Sequence, residues 1–278
     1  MLFTLLFACS SEPTPWDYLE EGQYILEDSH ANIVKMFDIP SLEDGIVDGF
    51  DLDGVVSDDG DSSTCGHADY MDTYGNAGID NQLGYLWDLI EPVVGAAETL
   101  LQGAINEGRF VMILELANLD DLQNDSDVTL NIFPADIDPD IGTFGYISPN
   151  QTAHYSDTSI GTTIDGLTLK DGVLEAGPFD FILPIDILEA RFDLSMRSGH
   201  VRIEIQEDGT FTGVLAGAAS VSEALDELHQ TDASDEVAYV DPLFRINADM
   251  GKENGECDLI SMAFTYDSTP IYVVRYEE

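Results

Sequence analysis

Apolar residues recur at two different spacings along the chain. Over residues 83–107 they recur at helical spacing, which predicts one packed helix that Pro92 either kinks or splits into two. From residue 160 onward apolar and polar residues alternate as in strands, with turns expected at Ser198-Gly199 and at 207–209. Ser220 and Glu223 stand at the spacing of a capping box and predict a short helix over 221–228. We expect the last strands near 260–264 and 271–276.

The two spacings together predict a mainly β fold of the α+β class. The expected form is an antiparallel β-sandwich or meander-type domain with one packed helix at about residues 83–107. Residues 23–278 are predicted to form a single β-rich domain, and two lobes that divide near residue 150 are the alternative. Residues 40–82 are predicted to form a long loop rich in Asp and Gly. A loop of this length in a compact domain usually has a function or is ordered by a metal ion.

The first residues of the chain have the pattern of an export signal. A short apolar run ends in Leu6-Phe7-Ala8, and Cys9 and a polar stretch follow at once. This order resembles the bacterial lipobox, in which the Cys becomes the acylated first residue. We therefore predict a signal peptide over residues 1–8 and a lipid-anchored tether over 9–22. An ordinary signal peptide, or a start codon placed too late, are the alternatives.

The same pattern predicts where the protein is found. We expect it outside the cytoplasm, held to a bacterial membrane through a lipid at Cys9, with the outer membrane favoured. The apolar run is too short to span a bilayer, and no other stretch of the sequence is apolar enough to do so.

The charge of the chain excludes some partners. The formal net charge is −46, from 9 Lys and Arg against 55 Asp and Glu. Without a basic patch, nucleic acid and anionic membrane surfaces are excluded as electrostatic partners. Strong self-repulsion is relieved either by high salt or by bound divalent cations. The acidity therefore indicates salt adaptation or cation binding.

Cysteine usage supports export. The chain has three Cys, and if Cys9 is acylated, Cys65 and Cys257 remain as one pair. An even remainder in an oxidising compartment predicts a disulfide, which in the chain-entropy model would contribute about 5 kcal/mol. Two free, buried thiols are the alternative.

The acidic loop is the best candidate for a metal site. Ca²⁺ binds six to eight oxygens, and alternating Asp and Gly can wrap a chain around such an ion. The loop is not an EF-hand, because Gly54 stands at the fourth position and Ser62 at the twelfth. The predicted Ca²⁺ ligands are Asp51, Asp53, Ser57, Asp58, Asp59 and Asp61 of the loop, with Asp80 or Asn81 from the start of the helix. The alternatives are a solvated acidic loop and a simple helix cap at Asp80 or Asn81.

A resemblance rests on short motifs. Asp51-Leu52-Asp53-Gly54, followed by Asp-Asn-Gln-Leu-Gly at 80–84, is similar to a signature of a group of uncharacterised bacterial lipoproteins. The ending at 257–261, Cys-Asp-Leu-Ile-Ser, also resembles that group. The chain departs from the signature in the longer insertion that carries Cys65. The resemblance implies an exported, metal-ordered envelope protein and brings no activity with it.

Two hypotheses of function remain. The first is an exported, lipid-anchored, non-catalytic cell-envelope protein, ordered by Ca²⁺, that binds an envelope protein or a glycan. The alternative is a secreted hydrolase that uses carboxylates, such as a glycosidase. No His pair has metal-ligand spacing and no nucleophile-elbow motif occurs, so we favour a protein that is not an enzyme and assign no catalytic residue.

Overall fold

A computed structural model of the 278-residue chain describes residues 15–61, 65–94, 97–155, 161–187, 190–230, 234–251 and 255–276. The strands are β1 (Gln23–Tyr24), β2 (Ser29–Asp38), β3 (Tyr70–Met71), β4 (Ala77–Ile79), β5 (Ile113–Ala117), β6 (Asn124–Phe133), β7 (Gln151–His154), β8 (Thr162–Lys170), β9 (Val173–Ile187), β10 (Ala190–Ile205), β11 (Phe211–Ser220), β12 (Met250–Gly251) and β13 (Cys257–Tyr276). The helices are α1 (Gln82–Val94), α2 (Ala97–Asn106), α3 (Val221–Leu228) and α4 (Ser234–Ile246), and a 3₁₀ turn covers Pro15–Tyr18. The predicted mainly β fold of the α+β class is confirmed.

The main sheet closes on itself. Its strands follow the order β2, β5, β6, β8, β9, β10, β11, β13, and β13 pairs again with β2. Every pairing in this ring is antiparallel. The contact of β8 with β9 is short, with Leu169 opposite Leu174 and Lys170 opposite Val173. Strands from before residue 150 (β2, β5 and β6) and strands from after it belong to the same sheet and pair at two places, β6 with β8 and β13 with β2.

Strand β13 runs unbroken where the pattern predicted two strands. Residues 259–267 pair with β11, and residues 265–271 pair with β2. The prediction of separate strands near 260–264 and 271–276 was wrong because the polar residues Asp267 and Ser268 break the alternation but stay within the ladder. Ser268 is fully buried and its hydroxyl donates to the Phe211 carbonyl at 2.8 Å.

Ser198-Gly199 is a bulge within β10 and not the predicted turn. Ser198 has a φ of 51°, and the register against both neighbouring strands shifts at this point. A Cβ on Gly199 would lie 2.7 Å from the Phe179 carbonyl oxygen, so glycine permits the close approach. Sequence patterning does not separate such a bulge from a turn, because both use small residues and positive φ.

The helices pack on the sheet and on one another. Helices α1 and α2 pack on β13, β2 and β9, and α4 contacts α1 and α3. Ser220 is the N-cap of α3, and its hydroxyl accepts the Glu223 amide at 3.2 Å, as predicted. Helix α4 was not predicted, because Pro242 and interspersed acids weaken its apolar pattern.

A buried ion pair joins two strands that flank β2. Glu115 of β5 is fully buried and accepts two hydrogen bonds from Arg275 of β13, at 2.6 and 3.0 Å. Asn131 donates to the same carboxylate at 3.1 Å. The Arg275 guanidinium lies 5.7 Å from the ring centre of Phe133 and 5.2 Å from that of Tyr155. The ion pair therefore links β5 to β13, the two strands that pair with β2 on either side.

The N-terminal features lie mostly outside the described residues. The predicted signal peptide over 1–8 and Cys9 belong to the part that the structure leaves undescribed. The last part of the predicted tether contacts the sheet, because the Trp16 ring packs edge-on against Tyr272 at 5.5 Å. Among the described residues, no helix combines the length and apolar character that crossing a membrane requires.

Removing one member of the buried ion pair should be more harmful than replacing both. Arg275→Met leaves the Glu115 carboxylate buried without its counter-charge, so we expect the free energy of unfolding to fall by about 3–5 kcal/mol. The double change Arg275→Met with Glu115→Gln removes that charge and should recover part of the loss. Urea denaturation measures both, and equal midpoints for the single and double variants would contradict this account.

Candidate metal centre

The backbone brings the two predicted halves of the site together. The Asp80 amide donates to the Phe50 carbonyl at 2.9 Å, in an isolated antiparallel bridge. The Asp80 carboxylate then accepts the Leu52 amide at 2.6 Å and the Asp53 amide at 3.3 Å through the same oxygen. Residues 50–53 are thus held against the start of α1.

Three carboxylates converge at this point. Asp51, Asp53 and Asp80 each offer an oxygen, and these oxygens lie within 4.8 Å of one another. Asp51 and Asp53 are exposed, whereas Asp80 is 4 % exposed. Three carboxylate oxygens at such distances can hold a metal ion, with waters or carbonyls as further ligands.

Short local hydrogen bonds orient the two exposed carboxylates. Asp51 accepts the Gly54 amide at 2.7 Å, and Asp53 accepts the Val55 amide at 2.8 Å. These Asx-type turns aim both side chains back over the loop. Gly78 leaves room for the Asp51 carboxylate, because a Cβ there would lie 3.3 Å from its Oδ2.

Burial disfavours the charged form of Asp80. Desolvation raises the pKa of Asp80 to about 8; the negative charges of Asp53, Asp249 and Asp69 add to this, while the Leu52 amide opposes it. Burial likewise raises the pKa of Asp249 to about 6 and raises that of Asp69. Negative charge is therefore concentrated where it is poorly solvated, and a bound cation would stabilise the ionised forms.

The other predicted ligands lie outside this triad. The Asn81 side chain caps α1, accepting the Gly84 amide at 3.0 Å, and also accepts the Ala263 amide at 3.3 Å. Ser57 is buried, and its amide donates to the Asp69 carboxylate at 2.6 Å. The remaining loop acids are exposed: Asp58, Asp59 and Asp61. The structure thus brings together Asp51, Asp53 and Asp80 from the predicted set.

Asp249, a buried acid whose charge acts on Asp80, was not among the predicted ligands. Asp249 accepts the Ser261 amide at 2.8 Å and the Ser261 hydroxyl. Ser261 in turn accepts the Gln82 amide at 2.8 Å, which links Asp249 to the start of α1. A lone acid between Ala248 and Met250, both buried, was the available signal for Asp249.

The predicted disulfide is confirmed. Cys65 and Cys257 are bonded, with their Cα atoms 5.7 Å apart. The bond attaches the acidic loop to the start of β13, 192 residues away in sequence. Disulfides of this kind are typical of proteins that fold in an oxidising compartment outside the cytoplasm.

No family model matches the chain, and no curated protein and no solved structure is detectably similar to it.

The raised pKa of Asp80 predicts a pH dependence of stability. Between its unfolded value of 3.8 and its folded value of about 8, the folded state binds one more proton, so the free energy of unfolding must fall as pH rises. Without divalent cations we expect a slope of up to about 1.4 kcal/mol per pH unit between pH 7 and 8. This window lies above the pKa of Asp249, about 6. Asp80→Asn should remove that slope.

The matched control is Asp58→Asn, an exposed acid of the same loop. In chelator-treated protein, this variant should show the same change of unfolding free energy with pH as the wild type. Urea denaturation at several pH values measures that change. A wild-type slope equal to that of Asp80→Asn would contradict the burial of an ionisable carboxyl at this position.

Proposed function

We propose that the chain is an exported, lipid-anchored, non-catalytic cell-envelope protein whose acidic loop is ordered by Ca²⁺. The observation that supports it is the convergence of Asp51, Asp53 and Asp80 on one point, with Asp80 buried. An ion at this point would join the loop to the start of α1 and relieve the repulsion among the carboxylates.

The donor set favours Ca²⁺. The triad consists of carboxylates alone, and hard oxygen donors suit Ca²⁺ and Mg²⁺ better than zinc or copper. Mg²⁺ demands near-ideal octahedral geometry, whereas Ca²⁺ accepts irregular sets of oxygens completed by water. Two exposed ligands on a loop leave room for such waters.

The same geometry gives less support to a glycosidase. The two carboxyl groups of a retaining glycosidase stand about 5–5.5 Å apart and flank the bond that they cleave. Here the oxygens cluster within 4.8 Å, and Asp80 is 4 % exposed. Its carboxylate accepts hydrogen bonds from the Leu52 and Asp53 amides, so it holds the backbone of the loop in place.

A lipid anchor suits the charge of the protein. A net charge of −46 repels anionic lipid, so hydrocarbon must supply the membrane affinity. Cys9 precedes Pro15 by six residues, a span of at most about 20 Å. Since Trp16 packs on Tyr272, a lipid at Cys9 would be attached near the β1 end of β13. The disulfide and the resemblance to envelope lipoproteins support the same location.

Ca²⁺ should raise the melting temperature more than sodium does. Extracellular Ca²⁺ modules have Kd values of about 10⁻⁴–10⁻³ M, so 10 mM Ca²⁺ should add about 1.5–3 kcal/mol of stability. For a chain of this size the melting temperature should rise by about 3–10 °C beyond a sodium control of equal ionic strength.

The double change Asp51→Asn and Asp53→Asn should remove most of that excess. Asp58→Asn with Asp59→Asn is the matched control, because it removes the same charge from exposed positions in the same loop. If sodium stabilised the protein as much as Ca²⁺, or if both double variants lost the effect equally, simple screening of an acidic surface would replace the proposal.

Acylation of Cys9 is tested separately by the intact mass of protein extracted from membranes. We expect a chain that begins at Cys9 and carries lipid, and Cys9→Ser should appear as unprocessed or released protein. A native mass without lipid, or one that begins at another residue, would contradict the anchor and leave the metal site unaffected.

A further inference from the structure

An apolar cavity lies between the helices and the sheet. It has a volume of about 260 Å³. Residues of all four helices line it together with residues of β2, β9, β10 and β13 and with Phe110, which precedes β5; the helix and strand residues include Trp87, Leu101, Leu183, Val240 and Phe244. Its floor is deeply buried, since Phe110 is 2 % exposed, while Leu194 and Leu228 near solvent are partly exposed.

The cavity has one charged residue in its wall. Among the described residues that line it, this is Glu98 of α2. Glu98 is partly exposed, and Asp38 and Glu91 are close enough to act on it electrostatically. Burial, with these two neighbouring negative charges, raises the pKa of Glu98. These acids would attract a positively charged group electrostatically and would repel a carboxylate or phosphate.

We infer that this cavity is a binding site for an amphiphile with one hydrocarbon chain and a positively charged head group. The chain would occupy the apolar interior, and the head would lie at Glu98, beside Asp38 and Glu91. A cavity of about 150 Å³ already binds benzene in an apolar core, so the larger volume here can take a chain of medium length. This inference does not depend on the Ca²⁺ site, because Asp51, Asp53 and Asp80 do not line the cavity.

The fluorescence of Trp87 reports on the cavity directly. The chain has two Trp, Trp16 and Trp87. In a Trp16→Phe background, decylamine titrated below its micelle concentration in 0.5 M NaCl should change the emission saturably. Octylamine, two carbons shorter, should bind about tenfold more weakly. Decanoate should bind more weakly than decylamine, and propylamine, which has the charge without the chain, should leave the emission unchanged.

Substitutions in the lining of the cavity test where the amphiphile binds. Leu194→Phe fills the opening and should weaken decylamine binding at least tenfold, with Leu228→Phe as the substitute if that variant does not fold. Leu122→Phe makes the same change at an exposed position outside the cavity and should have no effect. Glu98→Gln should reduce the preference for decylamine over decanol by about threefold.

Other outcomes would overturn the inference. Absence of saturable binding, equal affinity of the Leu194→Phe and Leu122→Phe proteins, or a response to propylamine would show that the cavity takes no chain. Decanoate binding as tightly as decylamine would show that the acidic rim does not select the head group.

Discussion

Strand β13 is the element on which the rest of the structure depends. It closes the sheet by pairing with β11 along its first half and with β2 further on. Its first residue, Cys257, carries the disulfide to the acidic loop. Ser261 and the Ala263 amide hold the start of α1 through Gln82 and Asn81, so the same strand positions the loop, the helix and Asp80 between them.

The acids at the candidate metal site differ in burial from most other acids of this protein. Most of its carboxylates can be solvated, and salt screens their repulsion. Asp80 and Asp249 are instead buried near other negative charges, and desolvation raises the pKa of each. Such an arrangement costs stability in the absence of a counter-charge. A divalent cation would offset that cost, and for this reason we propose cation binding for this region in preference to general salt adaptation.

The features that could be predicted from the sequence are those that depend on residues close together in the chain. The Ser220 cap lies three residues from its partner amide at Glu223, so a short motif revealed it. The Asp51–Asp53 spacing was visible for the same reason. Asp249 was missed because its role depends on its partner Ser261, which the pairing of β12 with β13 brings to it. The bulge at Ser198 and the unbroken course of β13 likewise depend on neighbouring strands, and the cavity arises from side chains of eight separate elements.

We propose that a cation binds where the buried Asp80 carboxylate is protonated in the absence of the ion. Calorimetric titration with Ca²⁺ at pH 7, in two buffers of different ionisation enthalpy, measures the protons released per ion bound. Because the pKa of Asp80 is raised to about 8, binding should release about one proton per Ca²⁺, and Asp80→Asn should abolish that release. Identical heats in the two buffers, or no binding at millimolar Ca²⁺, would contradict the account.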